Sequence, residues 1–258
     1  MKIGFLGFGN MGSALAKGLL SAGAVKSQNV YATARNLNKL QNRCKELNIN
    51  PCKSVNELVE KSDWIVIAVK PHQIEEVIEP VKSKLQGKVI ISVAVGMLFE
   101  NYEKILPKNI SHISFLPNTA CEIGAGIIVV EQTHSLSESE FESVKKIFGS
   151  ISAFETVPTK QFGIAGVIAG CGPAYAAMFI EALGDAGVRF GLSREQAYTL
   201  SAKMLEGTAM LKLNTKSHPA KMKDDVCSPA GTTIKGVLAL EKHGFRNAVI
   251  SAIDAALN

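Results

Sequence analysis

The chain has 258 residues, 47% of them apolar, and 28 Lys and Arg against 23 Asp and Glu. That length suits one large or two small domains with a real core. The mild positive balance, with no dense basic run and little aromatic interleaving, argues against a nucleic-acid surface and suits anionic small molecules.

Met1 leads straight into Lys-Ile-Gly-Phe-Leu with no basic and apolar leader, and no apolar run reads as long enough to span a bilayer. Cys44, Cys52, Cys121, Cys171 and Cys227 are scattered without zinc-ligand spacing, so free thiols in a reducing compartment are expected. The expectation is a cytoplasmic protein without membrane or nucleic-acid partners.

Ile3–Leu6 is a short apolar run that ends at Gly7-Phe8-Gly9-Asn10-Met11-Gly12, after which Ala14, Leu15, Gly18 and Leu19 recur at helical spacing. Strand, glycine turn and helix in that order form the dinucleotide fingerprint. Gly7 permits the tight turn, Gly9 lets backbone approach a pyrophosphate, and Gly12 lets the helix pack against the strand. Strands are predicted at Val30–Thr33, Trp64–Val69 and Val89–Val95, with helices at Asn38–Leu47, Val55–Lys61 and Gln73–Leu85. Apolar strands alternating with helices predict a Rossmann-type, doubly wound α/β sheet.

The second strand ends Thr33-Ala34-Arg35-Asn36, where an NAD-preferring site carries an acidic residue about 20 positions past the glycines. The Arg35 guanidinium can instead pair with a 2'-phosphate, so NADPH is expected over NADH; a solvated surface arginine is the alternative. The next strand ends Ala68-Val69-Lys70-Pro71-His72, at the sheet edge where open parallel sheets bind ligands, and Pro71 suits a first helical turn. A later strand ends Phe115-Leu116-Pro117-Asn118-Thr119, whose Asn can donate and accept together.

Composition shifts near Pro158 to a stretch rich in Ala, Gly, Leu and Met. Helices are predicted at Pro173–Phe190, Arg194–Leu213 and Gly244–Leu257, giving a dinucleotide-binding domain over 1–157 and an all-helical domain over 158–258. The stretch after Ala174 is small or apolar on nearly every face and must be buried, which about a hundred residues achieve poorly without a second subunit. Ser228-Pro229-Ala230-Gly231 then runs into Thr232, Thr233 and an apolar stripe at Ile234, Val237 and Leu238. Such a helix start, built of small residues, leaves N–H groups bare for an anion, carboxylates included.

The Asp224–Arg246 segment closely resembles the signature of the pyrroline-5-carboxylate reductase family. Ala68-Val69-Lys70-Pro71, Pro117-Asn118-Thr119 and Ala169-Gly170-Cys171-Gly172-Pro173-Ala174-Tyr175 are similar to further motifs of that family, with Cys171 in its usual Ser place. The resemblance spans nearly the whole chain and implies reduction of 1-pyrroline-5-carboxylate to L-proline, the last step of proline biosynthesis. It implies cofactor contacts at Ala68, Val69, Lys70, Pro71 and Asn118, beside those that the residues themselves point to at Gly7, Phe8, Gly9, Asn10, Met11, Gly12, Thr33 and Arg35. It further implies a substrate carboxylate held by Gly231, Thr232 and Thr233, with the Thr233 hydroxyl on the ring nitrogen as the catalytic group. The family's helical domain forms an intertwined homodimer that can assemble further, and Tyr175 is expected as a core or interface residue.

Ala120, Cys121 and Glu122 depart from the family pattern, as does Ala230, and the chain ends somewhat early, so a short final helix is expected to be missing. The glycine turn also resembles beta-hydroxyacid dehydrogenases, but Phe162–Phe179 lacks the Lys that their catalytic helix carries. The remaining alternative is a non-catalytic NADP-binding regulatory protein of the same fold.

Overall fold

The structure, a computed structural model, describes residues 1–257. They divide into two compact units, one of Met1–Gly170 and one from Cys171 onward.

The first unit alternates strands and helices: β1 (Ile3–Leu6), α1 (Asn10–Ser21), β2 (Val30–Thr33), α2 (Leu37–Leu47), β3 (Asn50–Pro51), α3 (Val55–Lys61), β4 (Trp64–Ile67), α4 (Ile74–Ile78), β5 (Val89–Ser92), α5 (Phe99–Ile105), β6 (Ser111–Pro117), β7 (Gly126–Glu131), α6 (Glu138–Phe148) and β8 (Ser152–Val157). One eight-stranded sheet results, in the order β3-β2-β1-β4-β5-β6-β7-β8. Helices cover both faces. Ile3, Phe5, Val66 and Ile91 pack on one side with Leu15 and Leu19 of α1, while Leu6, Ile65, Ile67 and Ile90 pack on the other with Leu58 of α3 and Ile74 of α4.

β1 to β6 run parallel, and β7 reverses against β6. The Asn118–Ala125 connection is too short for a parallel crossover, which takes a dozen residues or more. β8 then pairs parallel to β7 after α6.

The predicted helix over Gln73–Leu85 is instead three pieces: a 3-10 turn at Pro71–Gln73, α4, and a 3-10 stretch at Glu79–Lys84. Pro80 has no N–H to give the Glu76 carbonyl, so the α-helical ladder stops there.

α7 (Thr159–Arg189) begins fourteen residues before the predicted start at Pro173, which lies inside the helix. The glycines of 163–172 read as a loop by propensity, but packing overrides it. Phe162 is buried on Leu116 and Val129, and a Cβ on Gly166 would collide with the Leu116 side chain. Glu131, fully buried, accepts the Thr159 hydroxyl at 2.9 Å and the Phe99 N–H at 2.9 Å, tying together the starts of α7 and α5. The chain leaves the sheet at Val157, and the first turns of α7 pack with it, so the compact unit extends to Gly170.

The second unit holds the rest of α7, α8 (Arg194–Thr215), α9 (Pro219–Asp225), α10 (Thr232–Lys242) and α11 (Phe245–Leu257). The Tyr175 hydroxyl reaches the Ala252 carbonyl at 3.4 Å, and Phe179 meets Phe245 at 6.0 Å between ring centroids. Among the described residues of this unit no large apolar side chain is buried; Met178, Phe190, Leu213 and Ile250 are all at least 60% exposed in the single chain. α7 is also long and apolar enough to cross a bilayer, by length and composition alone, which corrects the reading that no such run exists. The sequence reading broke that run at Pro173, and the helix carries through it.

Candidate active site

The glycine turn is held from three sides. Gly7 donates its N–H to Thr33 at 3.0 Å and has φ 96, and a Cβ there would lie 2.7 Å from the Ala68 backbone. Gly7 therefore brings the ends of β1, β2 and β4 together, and with them the sequence-predicted Thr33, Ala68 and Val69. A Cβ on Gly12 would lie 2.6 Å from the Gly7 carbonyl, so only glycine lets α1 start so close to β1. Phe8 is buried edge-on against Phe5, and its carbonyl accepts Arg43 Nη1 at 2.8 Å.

Gly9 differs from its neighbours: a Cβ there meets no heavy atom within 4 Å. It is the N-cap of α1, with no side-chain cap and no acidic residue in the first turn. The bare helix start and the clear space before Gly9 fit a dinucleotide pyrophosphate. Asn10 is exposed and Met11 half-buried at the same start. Arg35 is exposed just past β2, while Asn36 caps α2 by accepting the Lys39 N–H at 3.0 Å. Lys70 is exposed, its N–H on the Gln73 side chain at 3.3 Å, and Pro71 opens the 3-10 turn.

Asn118 follows β6. Its side-chain oxygen accepts the Ile127 N–H at 3.3 Å, which leaves the amide NH2 to donate. The departures after it have a packing reason. Fully buried Cys121 sits where a Cβ on Gly18 or Gly126 would strike it, and burial pushes its thiol up to about 11. Glu122 pairs with Lys17 of α1 at 2.9 Å. Sequence reasoning missed Arg43, because nothing in a basic residue on a largely polar helix reveals a carbonyl 35 positions away.

In the second unit, Gly231 donates its N–H to the Ser228 carbonyl at 3.0 Å, closing a turn around Pro229 and Ala230. Ala230 has φ 58, a left-handed position that a type II turn normally gives to Gly. A Cβ on Gly231 would collide with the Ser228 hydroxyl. Gly231 then caps α10 with no side-chain hydrogen bond and no acidic residue in the first turn, and Thr232 and Thr233 are exposed. The N–H groups of that turn carry the positive end of the helix dipole with no carboxylate of their own to meet.

A family model described as pyrroline-5-carboxylate reductase dimerisation matches residues 159–258, and one described as NADP oxidoreductase, coenzyme F420-dependent, matches residues 2–96. The pyrroline-5-carboxylate reductase of Treponema pallidum is 53% identical over 100% of this chain and 99% of its own length. That of Escherichia coli is 34% identical over 99% of this chain and 96% of its own. A crystal structure of Plasmodium falciparum pyrroline carboxylate reductase with NADP bound superposes with a TM-score of 0.91 at 33% identity, covering 100% of this chain and 95% of that one. With sheet order, helical unit and full-length identity in agreement, the chain belongs to the pyrroline-5-carboxylate reductase family.

Proposed function

We propose that this protein reduces 1-pyrroline-5-carboxylate to L-proline, the last step of proline biosynthesis, using NADPH in preference to NADH. The observation that carries the reading is the 53% identity to a pyrroline-5-carboxylate reductase over the entire chain. A beta-hydroxyacid dehydrogenase or a non-catalytic NADP-binding protein finds no comparable support.

When bound, the reduced nicotinamide supplies a hydride to the imine carbon, and the nitrogen carries a proton in the product. Every other task falls to the chain, chiefly by positioning. The α1 start with Gly7, Phe8, Gly9, Asn10, Met11 and Gly12 receives the pyrophosphate. Thr33 and Arg35 lie at the ribose end, where the exposed guanidinium meets a 2'-phosphate as a paired charge-assisted contact. Ala68, Val69, Lys70 and Pro71 line the adjoining sheet edge, and the free Asn118 amide donates to the nicotinamide carboxamide.

The N–H groups of Gly231, Thr232 and Thr233 hold the substrate carboxylate, and the Thr233 hydroxyl holds the ring nitrogen. A hydroxyl of ordinary acidity does not release a proton at neutral pH, so Thr233 acts as a hydrogen-bonding group. We keep the functional division at residue 157, where the sheet ends.

The protein forms homo-oligomers through its helical part. A homodimer is the assembly we propose, because the apolar faces of α7, α8 and α11 lack cover in one chain. On that reading α7 meets a second subunit in place of a bilayer. Five free thiols support a cytoplasmic location. Absorbance loss at the NADPH band with 1-pyrroline-5-carboxylate added, and proline identified as product, tests the reading; NADPH binding without turnover overturns it in favour of a regulatory protein.

A further inference from the structure

We propose that Arg43 is a positioning residue for the cofactor, holding the Phe8–Gly9 peptide plane so that the Gly9 N–H stays aimed at the pyrophosphate. The inference rests on the cofactor reading of the glycine turn given above.

Phe8 stands between two glycines, Gly7 at φ 96 and Gly9 with open space around its Cα. The Phe8–Gly9 peptide turns about ψ of Phe8 and φ of Gly9, and on the Gly9 side no Cβ resists that turn. Glycine at position 9 thus leaves one end of the plane unrestrained, and any turn of the plane carries the Gly9 N–H with it. Arg43 prevents this. It sits half-buried on α2, beside Leu40 and Cys44, which anchor the helix in the core. From there Nη1 donates to the Phe8 carbonyl at 2.8 Å.

The carbonyl oxygen and the next N–H lie on opposite edges of one rigid trans peptide, so fixing the first fixes the second. All peptides of the described chain are trans. A guanidinium on that oxygen is a charge-assisted bond, stronger than a neutral one. Because the contact acts on the glycine turn itself, its effect falls on the pyrophosphate, which NADPH and NADH share, and not on the 2'-phosphate.

The test titrates NADPH and NADH into the intact oligomer with Arg43→Met, Arg43→Lys and Arg35→Asp, and records thermal unfolding of each. Arg43→Met is expected to raise both dissociation constants about tenfold by the same factor, worth ~1.4 kcal/mol, leaving their ratio unchanged. Arg43→Lys, which can still donate to the carbonyl, recovers most of the loss. Arg35→Asp weakens NADPH alone.

Unchanged affinities in Arg43→Met, a lower melting temperature included, make Arg43 a structural brace and overturn the proposal. A loss confined to NADPH overturns it too, by assigning Arg43 to the 2'-phosphate. If Arg43→Met does not fold, Arg43→Lys decides: affinities close to wild type support positioning through the carbonyl, and a tenfold loss of both overturns it. Wild-type protein that binds neither dinucleotide overturns the cofactor reading itself, a result separate from any behaviour of Arg43.

Discussion

Replacing Gly9 by Ala separates cofactor binding from folding. The new Cβ meets no protein atom within 4 Å, and φ −83 at Gly9 is open to any residue. Two small terms remain: Ala is a poorer N-cap than Gly by up to about 1 kcal/mol, and it restricts the unfolded chain by a similar amount of opposite sign, roughly 0.4 to 1 kcal/mol. Stability should therefore stay within about 0.5 kcal/mol of wild type.

Binding should not. The methyl group enters the space through which a phosphate reaches the α1 start, lengthening charge-assisted hydrogen bonds worth about 1.5 to 3 kcal/mol each and weakening the dipole contact. A loss of about 2 to 3 kcal/mol corresponds to a roughly 30- to 160-fold higher dissociation constant. Gly7→Ala is the contrast. There the left-handed backbone costs roughly 1 to 2 kcal/mol and the collision with the Ala68 backbone about 1 to 3 more, so the melting temperature falls first. Calorimetric titration with NADPH and thermal unfolding on both variants read the two effects; a Gly9→Ala protein that binds NADPH as tightly as wild type would refute the reasoning.

Arg35→Asp should raise the Michaelis constant for NADPH at least tenfold and leave that for NADH nearly unchanged; equal Michaelis constants for NADPH before and after would make Arg35 an ordinary surface residue. Thr233→Val should cut turnover more than roughly tenfold, over ~1.4 kcal/mol, with NADPH affinity intact, and an unchanged rate would remove Thr233 from the mechanism. Burial pushes the thiols of Cys44, Cys52 and Cys121 up to about 11 each. In folded protein near pH 8 they should resist a thiol reagent that labels them all in denaturant. The same shifts set a sign for stability. The unfolded thiols ionise near their ordinary value of 9.0 while the folded ones stay protonated, so these groups should lower stability as pH rises from about 9 towards 11. Melting temperatures across that range check it, and a rise attributable to these cysteines would contradict it.

The α/β half was legible because its signals are local. The apolar runs of β1, β2, β4 and β5, and the glycine spacing from Gly7 to Gly12, each follow from backbone geometry and burial on both faces of a sheet. Failures came where a distant partner decides. Glycines from 163 to 172 read as a loop until Leu116 and Glu131, far away in sequence, make α7 run from Thr159. Pro80 is the local exception, for it broke a helix whose apolar spacing continued through it. Cys121 and Glu122 read as departures from a motif and prove to be fitted to Gly18, Gly126 and Lys17 of this same chain. The exposed apolar faces of the second unit could be anticipated as a need for cover, since a helix apolar on every side has no other use for water-facing surface.

The most direct test of the central claim is to follow the hydride itself. NADPH carrying deuterium at the transferring position of its nicotinamide C4 is supplied with 1-pyrroline-5-carboxylate, and the product is analysed by mass spectrometry and NMR. The account predicts L-proline with a single deuterium on the δ carbon, the former imine carbon. Proline without the label there, or no proline despite bound NADPH, would contradict it.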